Sequence, residues 1–285
     1  MPLPSSNSCS AALANPSSDM WTQTPATVEA LVDIRGGIRG SSNRDRVAEE
    51  VPVAMVYNGI SHAVMMASPR DLEDLAVGFS LSEAIVDHAD QIFQMDIEFS
   101  EHGISLEMRI HGECLANLKN QRRNMVGRTG CGLCGTESLS QTLRAFPPVP
   151  ERPLPNDTAI QFALRNLREH QPMQTETGAT HAAAWCDLNG LVKDVREDVG
   201  RHNALDKLIG ARIGRHGASA FQSGFVLVSS RASYEMVQKA AINGIGCLVA
   251  VSAPTSLAIR TAQEAGLVLV GFARPGRHVI YTVRP

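Results

Sequence analysis

The sequence predicts an α/β protein in two parts, a mixed sheet with helices on both faces preceded by a smaller α+β domain. Three observations carry this reading. In the second half, short apolar runs alternate with stretches of helical periodicity, the pattern of strands buried on both faces. In the first third, two pairs of alternating segments flank turn signals, with a helical pattern between them. Between these regions Pro147, Pro148, Pro150, Pro153 and Pro155 form a stiff stretch that cannot be a helix interior, which places a boundary near residue 150.

Taken in order, residues 1–25 are rich in Ser, Pro, Asn and Ala and read as a disordered tail without the charged start and apolar run of a signal peptide. Val51–Tyr57 and Ile60–Met66 flank Asn58-Gly59, a strong hairpin signal. Ser68-Pro69-Arg70-Asp71 then opens a helix, with Ser68 as cap and Leu72, Leu75, Ala76 and Phe79 on one face. Ile92–Phe99 and Ile104–Ile110 form a second hairpin around Glu101-His102-Gly103. From Lys119 to Thr129 the chain is polar and basic and reads as a loop; it runs through glycine-rich residues 130–135 into helical spacing at Leu139, Leu143 and Phe146. Residues 26–146 are therefore assigned to the small α+β domain, 147–156 to a proline-rich spacer and 157–285 to the α/β domain.

In that last part the expected elements are helix Thr158–His170, strands His181–Cys186 and Leu191–Val195, helix Arg201–Ile209, strand Phe225–Val228, helix Ser233–Asn243, strand Cys247–Val251, helix Ser256–Ala265, and strands Leu267–Phe272 and His278–Val283. Asn243-Gly244 and Ala265-Gly266 supply helix-ending punctuation.

Bulk composition narrows the function. The chain has 285 residues, 44% of them hydrophobic, enough for an ordinary core. A net charge of −3 offers no general field for nucleic acid, so an anionic partner must be held by local arginines. No apolar stretch approaches the roughly 20 residues of a membrane span. Six unevenly spaced cysteines in a chain of this size read as reduced thiols in the cytoplasm rather than a disulfide framework.

The clearest chemistry lies at Cys131-Gly132-Leu133-Cys134. Arg128 stands three residues before Cys131, and a helix start expected after Cys134 would add its amides; both lower a thiol's pKa toward the nucleophilic thiolate. Glycines at 130, 132 and 135 allow close backbone approach. Half of a structural zinc site is the plain alternative, but no second CxxC is present. His111-Gly112-Glu113 before the pair follows the order of a zinc nucleobase deaminase, although Gly130 stands where that signature has proline.

Further along, Glu197–Asn203 concentrates polar residues at a strand-to-helix junction, a position suited to phosphate or purine, or to simple capping by Asp198. Ser229-Ser230-Arg231 occupies a similar junction, and the two could share one crevice. Phe272-Ala273-Arg274-Pro275-Gly276-Arg277 joins the last strands and combines an aromatic ring, two phosphate-binding arginines and a Pro-Gly turn. His181 reads by default as a buried histidine satisfied by a neighbour.

Arg128–Gly135 (RTGCGLCG), Thr177–Ala184 (TGATHAAA), Glu197–Gly210 (EDVGRHNALDKLIG), Ser252–Thr255 (SAPT) and the Phe272–Arg277 turn, in this order, resemble the FdhD family of formate dehydrogenase accessory sulfurtransferases. The similarity runs from about residue 45 to the C-terminus. It implies a cytidine-deaminase-like fold for the larger domain and a homodimer. It further implies that sulfur from a cysteine desulfurase is carried as a persulfide on Cys131, with Cys134 as relay. The acceptor would be the molybdenum of Mo-bis(molybdopterin guanine dinucleotide), bound at Phe272–Arg277 before that cofactor enters formate dehydrogenase. A cofactor chaperone without sulfur chemistry is the alternative that the same resemblance leaves open. In the deaminase fold, zinc ligands would fall after Gly200 and Ser230, where this chain has no cysteine, so the resemblance implies no intrinsic metal.

Overall fold

The computed structural model describes residues 25–34, 41–126 and 148–283. The N-terminal lobe begins with an antiparallel ribbon, β1 (Thr27–Ile34) with β2 (Ser41–Ala48). It continues through β3 (Val51–Tyr57), β4 (Ile60–Ala67), helix α1 (Leu72–Ser82), β5 (Ile92–Ser100), β6 (Gly103–Ile110) and helix α2 (Gly112–Val126). Both expected hairpins form. Their inner strands β3 and β6 pair in parallel, giving the order β4-β3-β6-β5. Val53, Met55, Tyr57, Leu106 and Met108 from the central strands bury against Leu72, Leu75 and Ala76 of α1.

Two local expectations change. The helix after Ser68 starts only at Leu72, because Asp71 takes the left-handed conformation (φ 52°) and breaks the run from the serine. Ser68 instead faces the other lobe, where its N–H donates to Asp198 Oδ2 (3.0 Å) and its Oγ accepts from the Val199 N–H (3.2 Å). The basic stretch from Lys119 is helical as far as Val126. Cys114 and Leu118 bury one stripe of α2 in the core, and Lys, Arg and Gln are good helix formers. The ribbon β1–β2 has no counterpart in the sequence reading. Its second strand, SSNRDRVA, is too polar to read as the partner of β1, and Arg46 fastens the ribbon by donating to Thr27 (2.9 Å) and pairing with Glu176 (2.7 Å).

The C-terminal lobe comprises α3 (Asp157–Asn166), a 3₁₀ turn at Leu167–His170, α4 (Pro172–Thr177), β7 (His181–Cys186), β8 (Val192–Asp198), α5 (Arg201–His216), β9 (Phe225–Val228), α6 (Tyr234–Ile242), β10 (Cys247–Ala250), α7 (Ser256–Ala265), β11 (Val268–Arg274) and β12 (Arg277–Ile280). Its sheet is mixed, in the order β12-β11-β10-β9-β7-β8. Strands β9, β10 and β11 are parallel, while β7, β8 and β12 run antiparallel to their neighbours. Alternate side chains fill both faces. Val226, Val228, Leu248 and Leu269 pack with Leu205, Leu208 and Met236 of the helices on one side. Phe225, Leu227, Val249 and Val270 pack with Ile160 and Ala163 of α3 on the other. Val149 is buried in the first of these clusters, and its N–H donates to the Ala265 carbonyl (2.8 Å).

The lobes meet where α1 crosses α5. Gly78 and Gly210 face each other there, and the backbones approach so closely that neither position has room for a side chain. Around the crossing, Arg196 of β8 pairs with Asp74 of α1 (2.6 Å), and Lys239 of α6 pairs with Asp206 of α5 (2.9 Å) and with Glu83 just past α1 (3.1 Å). Burial alone would pull the Lys239 ammonium down, but the two carboxylates outweigh it and hold it above its ordinary value.

Candidate ligand-binding site

Because β7 runs antiparallel to β9, its first residue lies at the edge where the parallel strands end. That edge therefore gathers His181, Ser229 after β9, Val251 after β10, and Ala273 and Arg274 at the end of β11. They line a crevice of about 680 Å³, closed on the α3 side by Arg168, Gln171 and Gln174. Ligands of open α/β sheets bind at this edge, outside the carboxyl ends of the strands.

The expected cofactor-binding turn sits at the rim. Ala273, Arg274 and Pro275 line the crevice; Phe272, Gly276 and Arg277 complete the hairpin between β11 and β12. The strand pairing breaks between Gly271 and Arg274, and Phe272 takes a left-handed φ of 48° with its N–H donated to the Ser252 carbonyl (3.1 Å). This bulge re-aims the end of β11. The Phe272 ring lies beside Arg274, whose guanidinium carbon is 6.0 Å from the ring centroid. At Gly271 an added Cβ would meet Pro254 at 2.7 Å, which ties the SAPT motif to the turn by contact.

The Glu197–Asn203 junction divides its labour differently from the sequence expectation. Glu197 is buried and accepts from the N–H groups of Met173 (3.0 Å) and Gln174 (2.8 Å) and from Thr180 Oγ1 (3.1 Å), so it fastens α4 and the Thr177–His181 segment against β8. Asp198 is also wholly buried. It accepts from Lys207 Nζ (2.6 Å), the Ser68 N–H (3.0 Å), the Gly200 N–H (2.7 Å) and Asn203 Nδ2 (3.0 Å). Both carboxylates shape the site from beneath and neither is open to a ligand. Arg201, at the first position of α5, keeps a buried Nε with no hydrogen-bond partner among the described residues.

His181 departs from its default reading. It is about half buried on the crevice wall, and its ring makes no hydrogen bond among the described residues. Burial, then the nearby Arg201 charge, push its pKa below the ordinary value, with Asp198 opposing, so the imidazole is neutral at neutral pH. Arg168, Gln171 and Gln174 escape the sequence reading, since nothing local distinguishes them from a solvated helix end. The usable signal is Pro172 at the first position of α4 together with Gly178 as its left-handed cap.

Cys131 and Cys134 lie outside the described residues, as does the helix expected from Leu139 to Phe146. Cys114, Cys186 and Cys247 are buried in the cores. Burial, with Asp187 nearby, pushes the Cys186 thiol up to about 12, which keeps it protonated and unreactive. Thiol alkylation of the native protein at mildly alkaline pH is expected to leave Cys186 unmodified, read by peptide mass spectrometry, and to label it once the protein is denatured. Among the described residues no group of three His, Cys, Asp or Glu side chains is placed to hold a metal ion, and no helix is long and apolar enough to cross a membrane.

Fold and crevice together define an α/β protein with a candidate ligand site at the carboxyl edge of a mixed sheet, walled by arginine and glutamine side chains. The chain belongs to the FdhD/NarQ family, whose model matches residues 48–285. It is 56% identical over 237 residues to the sulfur carrier protein FdhD of Cupriavidus necator, covering 83% of this chain and 82% of that protein. The sulfur carrier protein FdhD of Bordetella petrii is 53% identical over 263 residues, covering 92% and 94%. The crystal structure of a protein from Desulfotalea psychrophila, described as a formate dehydrogenase accessory protein, shares the fold at a TM-score of 0.68 and 23% identity, covering 91% of this chain and 98% of that one.

Proposed function

We propose that this protein is a sulfur carrier that serves the maturation of formate dehydrogenase. The Cys131 thiolate takes the terminal sulfur of a cysteine desulfurase persulfide; the donor S–S bond breaks, the donor cysteine leaves as thiolate, and a new S–S bond forms at Cys131. Cys134 relays the sulfur, its thiolate taking the outer sulfur while Cys131 leaves as thiolate. Cys131 then attacks the inner sulfur, closing a Cys131–Cys134 disulfide that a thiol reductant reopens, and the outer sulfur leaves as sulfide to replace an oxygen ligand, lost as water, on the molybdenum of Mo-bis(molybdopterin guanine dinucleotide), the substrate held in the crevice. The observation that carries this reading is the crevice itself, which Arg168 and Arg274 both line. Planar guanidinium groups suit a pyrophosphate, and the polar wall of Gln171, Gln174 and Thr180 suits a purine edge. The protein acts in the cytoplasm as a homodimer, a state that light scattering reads directly.

Incubation with a cysteine desulfurase and cysteine is expected to add one sulfur to the protein, detected by intact mass, and Cys131→Ala removes that gain. In a strain lacking the gene, Cys131→Ala is expected to leave formate dehydrogenase inactive. Full activity from Cys131→Ala, combined with loss of activity in Arg274→Ala, would replace sulfur transfer with cofactor chaperoning.

A further inference from the structure

We infer that Gln161 and His278 are positioning residues that set the shape of the arginine-bearing turn, an inference that rests on reading the crevice as a dinucleotide site. The turn needs an outside hold. Strand pairing is broken between Gly271 and Arg274, and Pro275 has no N–H, so Gly276 provides the only backbone donor of the two-residue loop. That donor is taken by Gln161 Oε1 of α3 at 2.7 Å. Gln161 Nε2 lies 3.2 Å from His278 Nδ1, and His278 Nε2 lies 3.1 Å from Asp157 Oδ1.

The direction of every bond in this chain follows from its first member. A backbone N–H can only donate, so Gln161 must turn its oxygen to Gly276. Its NH₂ group then faces His278, whose Nδ1 must accept. The single ring proton of neutral His278 therefore sits on Nε2, where the Asp157 carboxylate receives it. Four groups on two elements are thus locked in one arrangement, and the loop between Arg274 and Arg277 is fixed to α3.

Protonation of His278 breaks this arrangement. A proton on Nδ1 would face the Gln161 NH₂, donor against donor. The amide would have to rotate, which sets its NH₂ against the Gly276 N–H and frees the turn. The charged groups on the flanking elements are Asp157 and Arg165 on α3 and Arg274 and Arg277 on the hairpin. Gln161→Glu removes the requirement. A carboxylate accepts from Gly276 with one oxygen and from an Nδ1–H of His278 with the other, so the ring no longer needs a bare Nδ1 to hold the turn.

The test uses the whole protein and GDP, a probe for the guanine diphosphate half of the proposed ligand. From mildly acidic to mildly alkaline pH, wild-type affinity is expected to rise and that of Gln161→Glu to lose that rise. Gln161→Ala is expected to bind about tenfold more weakly, the worth of one lost hydrogen bond. Nitrogen NMR of the neutral ring is expected to show the proton on Nε2, and amide exchange at Gly276 to be slow in the wild type and fast in Gln161→Ala. A Gln161→Glu variant with the wild-type pH dependence, or Gly276 protection unchanged in Gln161→Ala, overturns the inference. If the wild type binds no GDP, the dinucleotide reading fails, while the tautomer and the Gly276 exchange still decide whether Gln161 and His278 hold the turn.

Discussion

Valine at Gly78 or at Gly210 is expected to unfold the protein or to lower its melting temperature by roughly 6–12 °C, from a loss of about 3 kcal/mol or more. A Cβ at Gly78 would stand 1.7 Å from the Asp206 carbonyl oxygen and 2.8 Å from the Gly210 nitrogen. A Cβ at Gly210 would stand 2.0 Å from the Asp74 carbonyl oxygen and 2.9 Å from the Gly78 nitrogen. All of these are backbone atoms inside helices, so no side chain can swing aside. Relief requires α1 and α5 to separate, which also strips Arg196, Lys239 and the carboxylates around them of their packing. Gly214, on the same helix, provides the control. Nothing lies within 4 Å of a Cβ there, so Gly214→Ala is expected to leave the melt unchanged or raise it slightly. Thermal unfolding of the three variants under identical conditions checks the contrast.

The second large effect is expected at the Lys207–Asp198 pair. Both side chains are fully shielded from solvent, and the ammonium donates to Asp198 Oδ2 at 2.6 Å and to the Ser68 carbonyl at 3.0 Å. A charge buried there without its partner carries the full cost of its lost hydration, so each depends on the other and on the surrounding donors. Lys207→Met strands the carboxylate, and Asp198→Asn strands the ammonium. Each is expected to cost about 3–5 kcal/mol in a urea titration. The double variant is expected to cost clearly less than the sum of the two, because it removes both orphaned charges at once. Additive losses would show that the two groups act independently. Since the pair reaches Ser68 on one lobe from β8 and α5 on the other, its loss also loosens the junction beside the crevice.

The strands of the C-terminal sheet are legible because each carries its own signal. Phe225–Val228 is an uninterrupted apolar run whose side chains serve two cores, and Ser256–Ala265 begins at a Thr255 cap that accepts from the Ala258 N–H and ends at left-handed Gly266. The Phe272–Arg277 turn and the Thr177–Ala184 segment are legible as separate motifs, and the structure brings both to one crevice. What escapes is whatever depends on a distant partner. Ser68 reads as a cap because its true partner, Asp198, is 130 residues away. Glu197 reads as one member of an open polar cluster because the helix it caps follows a 3₁₀ turn with no periodicity of its own. The ribbon of β1 and β2 escapes because the partner strand β2 is polar and carries no stripe, and the apolar stripe of α2 is too narrow to outweigh its run of basic residues.

The bulge that aims Arg274 also bears on the behaviour of the protein at high concentration. Strand β12 is the last of its sheet on that side, so its outer backbone groups pair with no other strand among the described residues. A long flat edge of that kind would be an open template for strand addition by other molecules. Here the edge is only four residues long, starts with Arg277 and His278, and leaves a kinked hairpin on the bulge at Gly271–Arg274. The distortion that presents an arginine to the crevice thus also shortens and charges a border from which the sheet could otherwise polymerise.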